Sequence, residues 1–308
     1  MTIGIGVAQQ REQYTNYIMN NFVVNPAVAG SYSFWNAKMG YRTQWVGLGD
    51  GVGPKTFFTS IHGPIGFPDP RRHKRSKVPH QGVGGYVYHD ETGPISYTGV
   101  FGAYSYHQKV NNLYTLSAGA FGGVKQFSLN NNELYVVQSE FDNLISNGIS
   151  RLTVPDMNVG LFLYSDHLFV GASAHQILRS RLKFQGANTG SMLKNHYFVT
   201  GGVKMQLSRE VFLYPTIIVK SIAPSPLSVD LNARVLYDDF FWAGISYRHR
   251  DAVAIIGEYV INDFLEIGYS YDLTLSRIRR FSYGTHEIII GFRWANSRKE
   301  VHCPSKYW

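Results

Sequence analysis

From Ser33 onward the chain repeats one pattern, and that pattern leaves few folds open. In "SFWNAKMGYRTQWVG", Trp35, Ala37, Met39, Tyr41 and Trp45 fall on one side, with Asn36, Lys38, Gly40, Arg42 and Gln44 on the other. Successive side chains of a strand point to opposite faces, so a period of two marks a strand lying between two different environments. The same alternation returns near the C-terminus. In "LSVDLNARVLY", Leu227, Val229, Leu231, Ala233 and Val235 oppose Ser228, Asp230, Asn232 and Arg234. In "FLEIGYSYDL", Leu265, Ile267, Tyr269, Tyr271 and Leu273 oppose Glu266, Gly268, Ser270 and Asp272. In "HEIIIGFRW", Ile288, Ile290, Phe292 and Trp294 oppose Glu287, Gly291 and Arg293.

The pattern predicts about fourteen strands, starting near residues 33, 54, 82, 94, 113, 156, 168, 195, 210, 227, 240, 252, 264 and 284. Each spans about 9–14 residues, against about five or six for a strand of a soluble domain and about nine to eleven for one that crosses a bilayer at a tilt. Short polar turns follow every second strand from the fourth: Val110–Asn112, Ser165–His167, Ser208–Glu210, Asp238–Asp239 and Asn262–Asp263. Longer segments, notably 128–155 and 178–194, fall in the alternate positions. Tight turns at one end, longer loops at the other and an even strand count describe an all-β transmembrane antiparallel barrel. A large soluble sandwich is the competing reading, and it leaves the parity of the turns unexplained. Pro215, inside the ninth strand, is expected to force a bulge, because a closed barrel has no edge to hide it.

Composition agrees with this reading. Charged residues make up 16% of the 308, aromatics 15%, and there are 31 Gly, which suits strands and not a helical bundle. No apolar run approaches the length of a transmembrane helix. The single cysteine, Cys303, excludes a disulfide framework and a thiolate zinc site. Residues 1–8, ending in Gly6-Val7-Ala8, resemble the remnant of a secretory signal. Residues 9–32 lack the period. Within them Tyr17, Ile18, Met19, Phe22 and Val23 can form one face of a short helix ended before Pro26, a plug for the barrel at 33–295. Residues 296–308 follow as a polar tail.

The net charge of +8 gathers in places. Arg71, Arg72, Lys74, Arg75 and Lys77 place five basic residues in seven positions, in the one long connection at the short-turn end. They are candidates for docking a protein or anionic lipid headgroups. "RIRR", Arg277–Arg280, falls in the last loop at the other end, as a plain charged loop or a contact with lipid or a surface partner. The inward-facing set is Lys38, Arg42, Gln44, Lys204, Lys220, Asp230, Arg234, Glu258, Glu266, Asp272, Glu287 and Arg293. Its mixed signs fit either mutually paired charges or a water-filled path. Eleven His are scattered without ligand spacing, and the common hydrolase and metalloprotease motifs are missing. No cofactor and no catalytic or metal-binding residues are expected, and "GLGDGVG" (Gly47–Gly53) reads as a hairpin loop, not a nucleotide fingerprint.

Four linked segments carry a family resemblance: "NPAVAGS" (Asn25–Ser31), "YRTQWVG" (Tyr41–Gly47), "PKTFFTSIHGPI" (Pro54–Ile65) and "TGPISYTGVFGAYSYH" (Thr92–His107). They resemble the N-terminal signature of the PorP/SprF family of type IX secretion outer-membrane proteins. The resemblance implies an outer-membrane barrel of a Bacteroidota-type cell, with termini in the periplasm. It implies a non-enzymatic scaffold or anchor for secretion-ring lipoproteins, or for the C-terminal domain of a secreted adhesin in gliding-type motility. A channel for small hydrophobic or ionic solutes is the alternative. The basic run at 71–77 is longer than the family pattern implies.

Overall fold

A computed structural model describes residues 19–48, 53–65, 79–130, 149–182, 191–222, 225–249 and 251–294. Fourteen long strands run in order: β1 (Trp35–Thr43), β2 (Lys55–Ile65), β3 (His80–Thr92), β4 (Ile95–Lys109), β5 (Thr115–Asn130), β6 (Ile149–Tyr164) and β7 (Leu168–His175), then β8 (His196–Val203), β9 (Val211–Ile222), β10 (Ser228–Tyr237), β11 (Phe241–Arg248), β12 (Ala252–Val260), β13 (Leu265–Thr274) and β14 (Thr285–Trp294). Every strand pairs antiparallel with its neighbours in sequence, and β1 pairs with β14, so the sheet closes on itself. Closure satisfies every ladder and leaves no edge, a condition for crossing a bilayer with strands. No helix among the described residues is long and apolar enough to cross a membrane.

The strands start within two residues of the predicted positions, with one exception. β6 begins at Ile149, not near 156, because Pro155 sits inside the ladder opposite Val124 and does not end it. The bulge expected at Pro215 is also absent. Register is unchanged across it: Gly202 faces Thr216 on one side and Met205 faces Leu213 on the other. Pro215 pairs in step with Ala233 of β10. The proline, which lacks an N–H, instead falls in a local gap of the β8–β9 ladder opposite Val203, while the Lys204 N–H continues the β7–β8 register to the carbonyl of His167.

Local chemistry explains the tight turns. Asn111 accepts hydrogen bonds from the backbone N–H groups of Leu113 and Tyr114, and Asn262 accepts the equivalent pair from Phe264 and Leu265. Such side chains mimic a backbone turn. Asp238 and Asp239 both hold positive φ, at 49° and 59°, the geometry of a tight hairpin turn between twisted strands.

On the outer wall the exposed large side chains are apolar: Met39, Val100, Leu161, Ile245, Ile255 and Ile288 are examples. On β3–β6 this band ends. Val87, Val100, Val124 and Met157 give way to His89, Thr98, Gln126 and Thr153, which hydrogen-bond in cross-strand pairs. These four strands therefore continue beyond the apolar band at the end opposite the short turns.

Candidate functional site in the barrel interior

The interior divides into two chemistries. Along β9–β14 and β1 paired charges are buried beside apolar side chains, among them Tyr214, Leu236, Trp242 and Ile289. Arg42 (1% exposed) donates to Glu287 at 2.8 Å and to Asp272 at 2.9 Å. Arg248 Nη2 lies 3.6 Å from the same Asp272 oxygen, and its Nε lies 3.8 Å from Asp230, which also binds Lys220. Lys38 and Arg293 hold opposite oxygens of Glu266, at 2.8 and 2.9 Å. Arg234 lies 3.8 Å from Glu258 and 4.6 Å from the Trp242 ring centroid. Buried ions are tolerated only when paired, and here carboxylate and cation alternate across neighbouring strands.

Register makes this lattice possible. Lys38, Gly291 and Glu266 lie level on β1, β14 and β13. A Cβ added at Gly291 would stand 2.3 Å from Glu266 Oε1. Glycine in the middle strand lets the two flanking side chains meet over it. Gln44 is buried at the end of the same seam. Lys204 lies apart from this lattice, half-buried, with its Nζ 4.4 Å from the Phe212 ring centroid.

Along β2–β8 the interior is filled differently, by the chain's own segment before β1. Met19, Phe22, Val23, Val24, Ala27 and Val28 are buried in one cluster with Phe58, Tyr86, Phe101, Phe121 and Phe162 of the wall. Phe22 meets Phe121 edge-on at 5.1 Å and lies 4.6 Å from the His62 ring. The single helix expected over Tyr17–Val23 gives way to two one-turn 3-10 helices, Asn21–Val23 and Pro26–Val28. Pro26 opens the second, where its missing N–H is harmless, and Asn25 caps it by accepting from Ala27 N–H at 3.0 Å. Tyr17 and Ile18 lie outside the described residues, as do Arg71, Arg72, Lys74, Arg75, Lys77 and the tail 296–308.

What holds this segment is a signal the sequence reading passed over. One Ser-x-His triplet, Ser165–His167, forms a turn, and three more lie within strands, at Ser60–His62, Ser105–His107 and Ser173–His175. Period two turns both polar residues of each strand triplet inward. Ser105 Oγ and His107 Nε2 both donate to the carbonyl of Ala29, each at 2.6 Å. Ser173 Oγ and His175 Nε2 both donate to the carbonyl of Val24, at 2.7 and 2.6 Å. Ser60 Oγ accepts from Asn20, and His62 Nδ1 accepts from the Gly30 N–H at 3.4 Å. Ser117 donates to Ala27 O, and the Asn25 side chain donates to Leu161 O. An irregular segment needs partners for its buried backbone groups, and these side chains supply them. The wall also accommodates it: a Cβ at Gly119 would stand 2.7 Å from the backbone of Pro26 and Ala27.

Ser105 Oγ and His107 Nε2 are 3.1 Å apart, a nucleophile-to-base spacing. Both are fully buried and both bind Ala29 O, so no substrate carbonyl reaches them. Among the described residues no group of His, Cys, Asp and Glu is placed to hold a metal ion.

The profile of the type IX secretion system membrane protein family PorP/SprF matches residues 6–292. The chain belongs to this family. Among curated proteins no sequence match is found. Solved outer-membrane barrels share the fold of this PorP/SprF protein. The Ralstonia pickettii toluene transporter TbuX aligns with a TM-score of 0.54 at 11% identity, over 90% of this chain and 93% of its own. The deltaS2S3 mutant of the monoaromatic hydrocarbon channel TodX gives 0.53 at 11% identity, over 92% and 94%. At such identity the likeness is one of fold alone. The PorP/SprF chain is therefore an outer-membrane β-barrel component of type IX secretion, and its stretch "NPAVAGS", within the matched residues, is buried inside the barrel.

Proposed function

We propose that this protein is a non-enzymatic anchor of the type IX machinery, closed by its own N-terminal segment. It serves partners through its surfaces, not by conducting solutes. The observation that carries this reading is the filled interior: Met19–Ser31 is buried against the β2–β8 wall, and paired charges and apolar side chains of β9–β14 and β1 are buried opposite. A path for small hydrophobic or ionic solutes would need that space.

In this reading the short-turn end and both termini face the periplasm. In sequence, Arg71, Arg72, Lys74, Arg75 and Lys77 follow β2, and the tail 296–308 follows β14. These two segments are the surface proposed for a ring lipoprotein or for the C-terminal domain of an exported adhesin. The inner segment, including Tyr17 and Ile18, acts as the plug.

Deleting the gene should abolish surface display of proteins carrying the C-terminal sorting domain while small-solute uptake stays unchanged. Re-expression of the intact chain should restore display. Normal display in the deletion strain, with impaired uptake of small solutes, would refute the anchor and favour the channel.

A further inference from the structure

We propose that the β13–β14 loop is a binding site for anionic lipid phosphate in the leaflet at the loop end of the barrel. The loop runs from Leu275 to Gly284, "LSRIRRFSYG", and holds three arginines with no acidic residue. Arg277–Arg280 form a single 3-10 turn, and Arg279 and Arg280 are exposed. Directly after it stand Phe281 (68% exposed) and Tyr283 (78% exposed). Few large apolar side chains of the protein are as bare. Their combination with a basic turn suits the boundary between headgroups and hydrocarbon, where aromatic rings collect and cations meet phosphate.

The backbone puts the loop at that depth. Tyr271 and Tyr269 point outward from β13, and Tyr271 Oη donates to the carbonyl of Tyr283 at 2.7 Å. The C-terminal end of the loop is thus tied to the outward face of β13. A second anchor holds it from the β1 side: the Val46 N–H donates to Gly284 O at 2.9 Å, and the Tyr283 N–H donates to Val46 O at 2.7 Å. The result is a loop tied at its C-terminal end, with two exposed aromatic residues following two exposed arginines in sequence. Arg279 and Arg280 make no ion pair among the described residues. Guanidinium forks match phosphate oxygens in pairs. A protein partner of acidic character would meet the arginines but would leave two rings bare beside the bilayer, whereas a lipid covers both.

The test uses the full-length protein in detergent, equilibrated with phosphatidylcholine vesicles with or without phosphatidylglycerol. Retained lipid is counted by native mass spectrometry. The intact protein should retain phosphatidylglycerol in preference to phosphatidylcholine, less so as salt is raised. Arg279→Gln with Arg280→Gln should reduce that preference roughly thirty-fold, about five-fold for each charge near an anionic surface. Phe281→Ser with Tyr283→Ser should weaken retention of lipid but leave its salt dependence. Arg209→Gln, in an exposed turn at the other end, is the control and should change nothing. Equal retention by the Arg279/Arg280 variant, or an equal loss in Arg209→Gln, would overturn the proposal. So would full displacement by inorganic phosphate alone, which would assign the site to a free anion. Heat-modifiable gel mobility confirms that each variant is a folded barrel.

Discussion

Removing the Arg42 cation is the sharpest perturbation of the charged half. Arg42 joins β1 to β14 and β13, the seam where the first and last strands close the barrel. Arg42→Met keeps the volume and strands Glu287 and Asp272 without their shared cation, both buried at 1% exposure. Breaking a buried pair from one side costs about 3–5 kcal/mol, because the remaining charge keeps its desolvation penalty. Arg248, 3.6 Å from the same Asp272 oxygen, shares that carboxylate. Urea unfolding of the barrel in micelles, followed by tryptophan emission and gel mobility, should register a destabilisation of about 3–5 kcal/mol. Adding Glu287→Gln to Arg42→Met removes one stranded charge, so the double variant should be the more stable of the two, with a coupling of about 1–3 kcal/mol. A loss within about 0.5 kcal/mol for Arg42→Met, as for an ordinary surface change, would refute the reasoning.

Two other outcomes follow from the same geometry. Gly119→Val should leave the strands intact but displace the inner segment, since even a Cβ there meets the backbone of Pro26 and Ala27; hydrogen exchange of residues 19–31 should rise sharply while β9–β14 stay protected. Neutralising Arg71, Arg72, Lys74, Arg75 and Lys77 together should abolish co-purification of a periplasmic partner without affecting barrel assembly, and the native contact should weaken with salt because charges are screened over about 8 Å at physiological ionic strength.

Much of the fold was legible because lipid and interior impose opposite demands on alternate residues. Where that contrast is strong, as in β1, β10, β13 and β14, strand positions and inward side chains can be read from the sequence. Where both faces are apolar the contrast fades. Phe58, Tyr86, Phe101, Phe121 and Phe162 point inward, beside outward Val87, Val100 and Val159, and nothing in the alternation marks them as the bed of an inserted segment. That segment has no period of its own because its conformation is set by other strands, whose side chains capture its carbonyls at Val24, Ala27 and Ala29. The three Ser-x-His triplets that lie within strands were the available clue, since a serine and a histidine two residues apart share one face of a strand. Pro155 and Pro215 misled for a related reason: proline removes one donor, and a strand tolerates that loss without breaking or bulging.

Single-channel recording in planar bilayers tests the central claim, that the barrel is closed by its own chain. The intact protein should insert without steady conductance. A variant lacking residues 9–30 should either conduct in discrete steps or fail to hold its barrel in detergent, because the aromatic bed along β2–β8 is then uncovered. Steady ohmic conductance from the intact protein, unchanged by that deletion, would contradict the account.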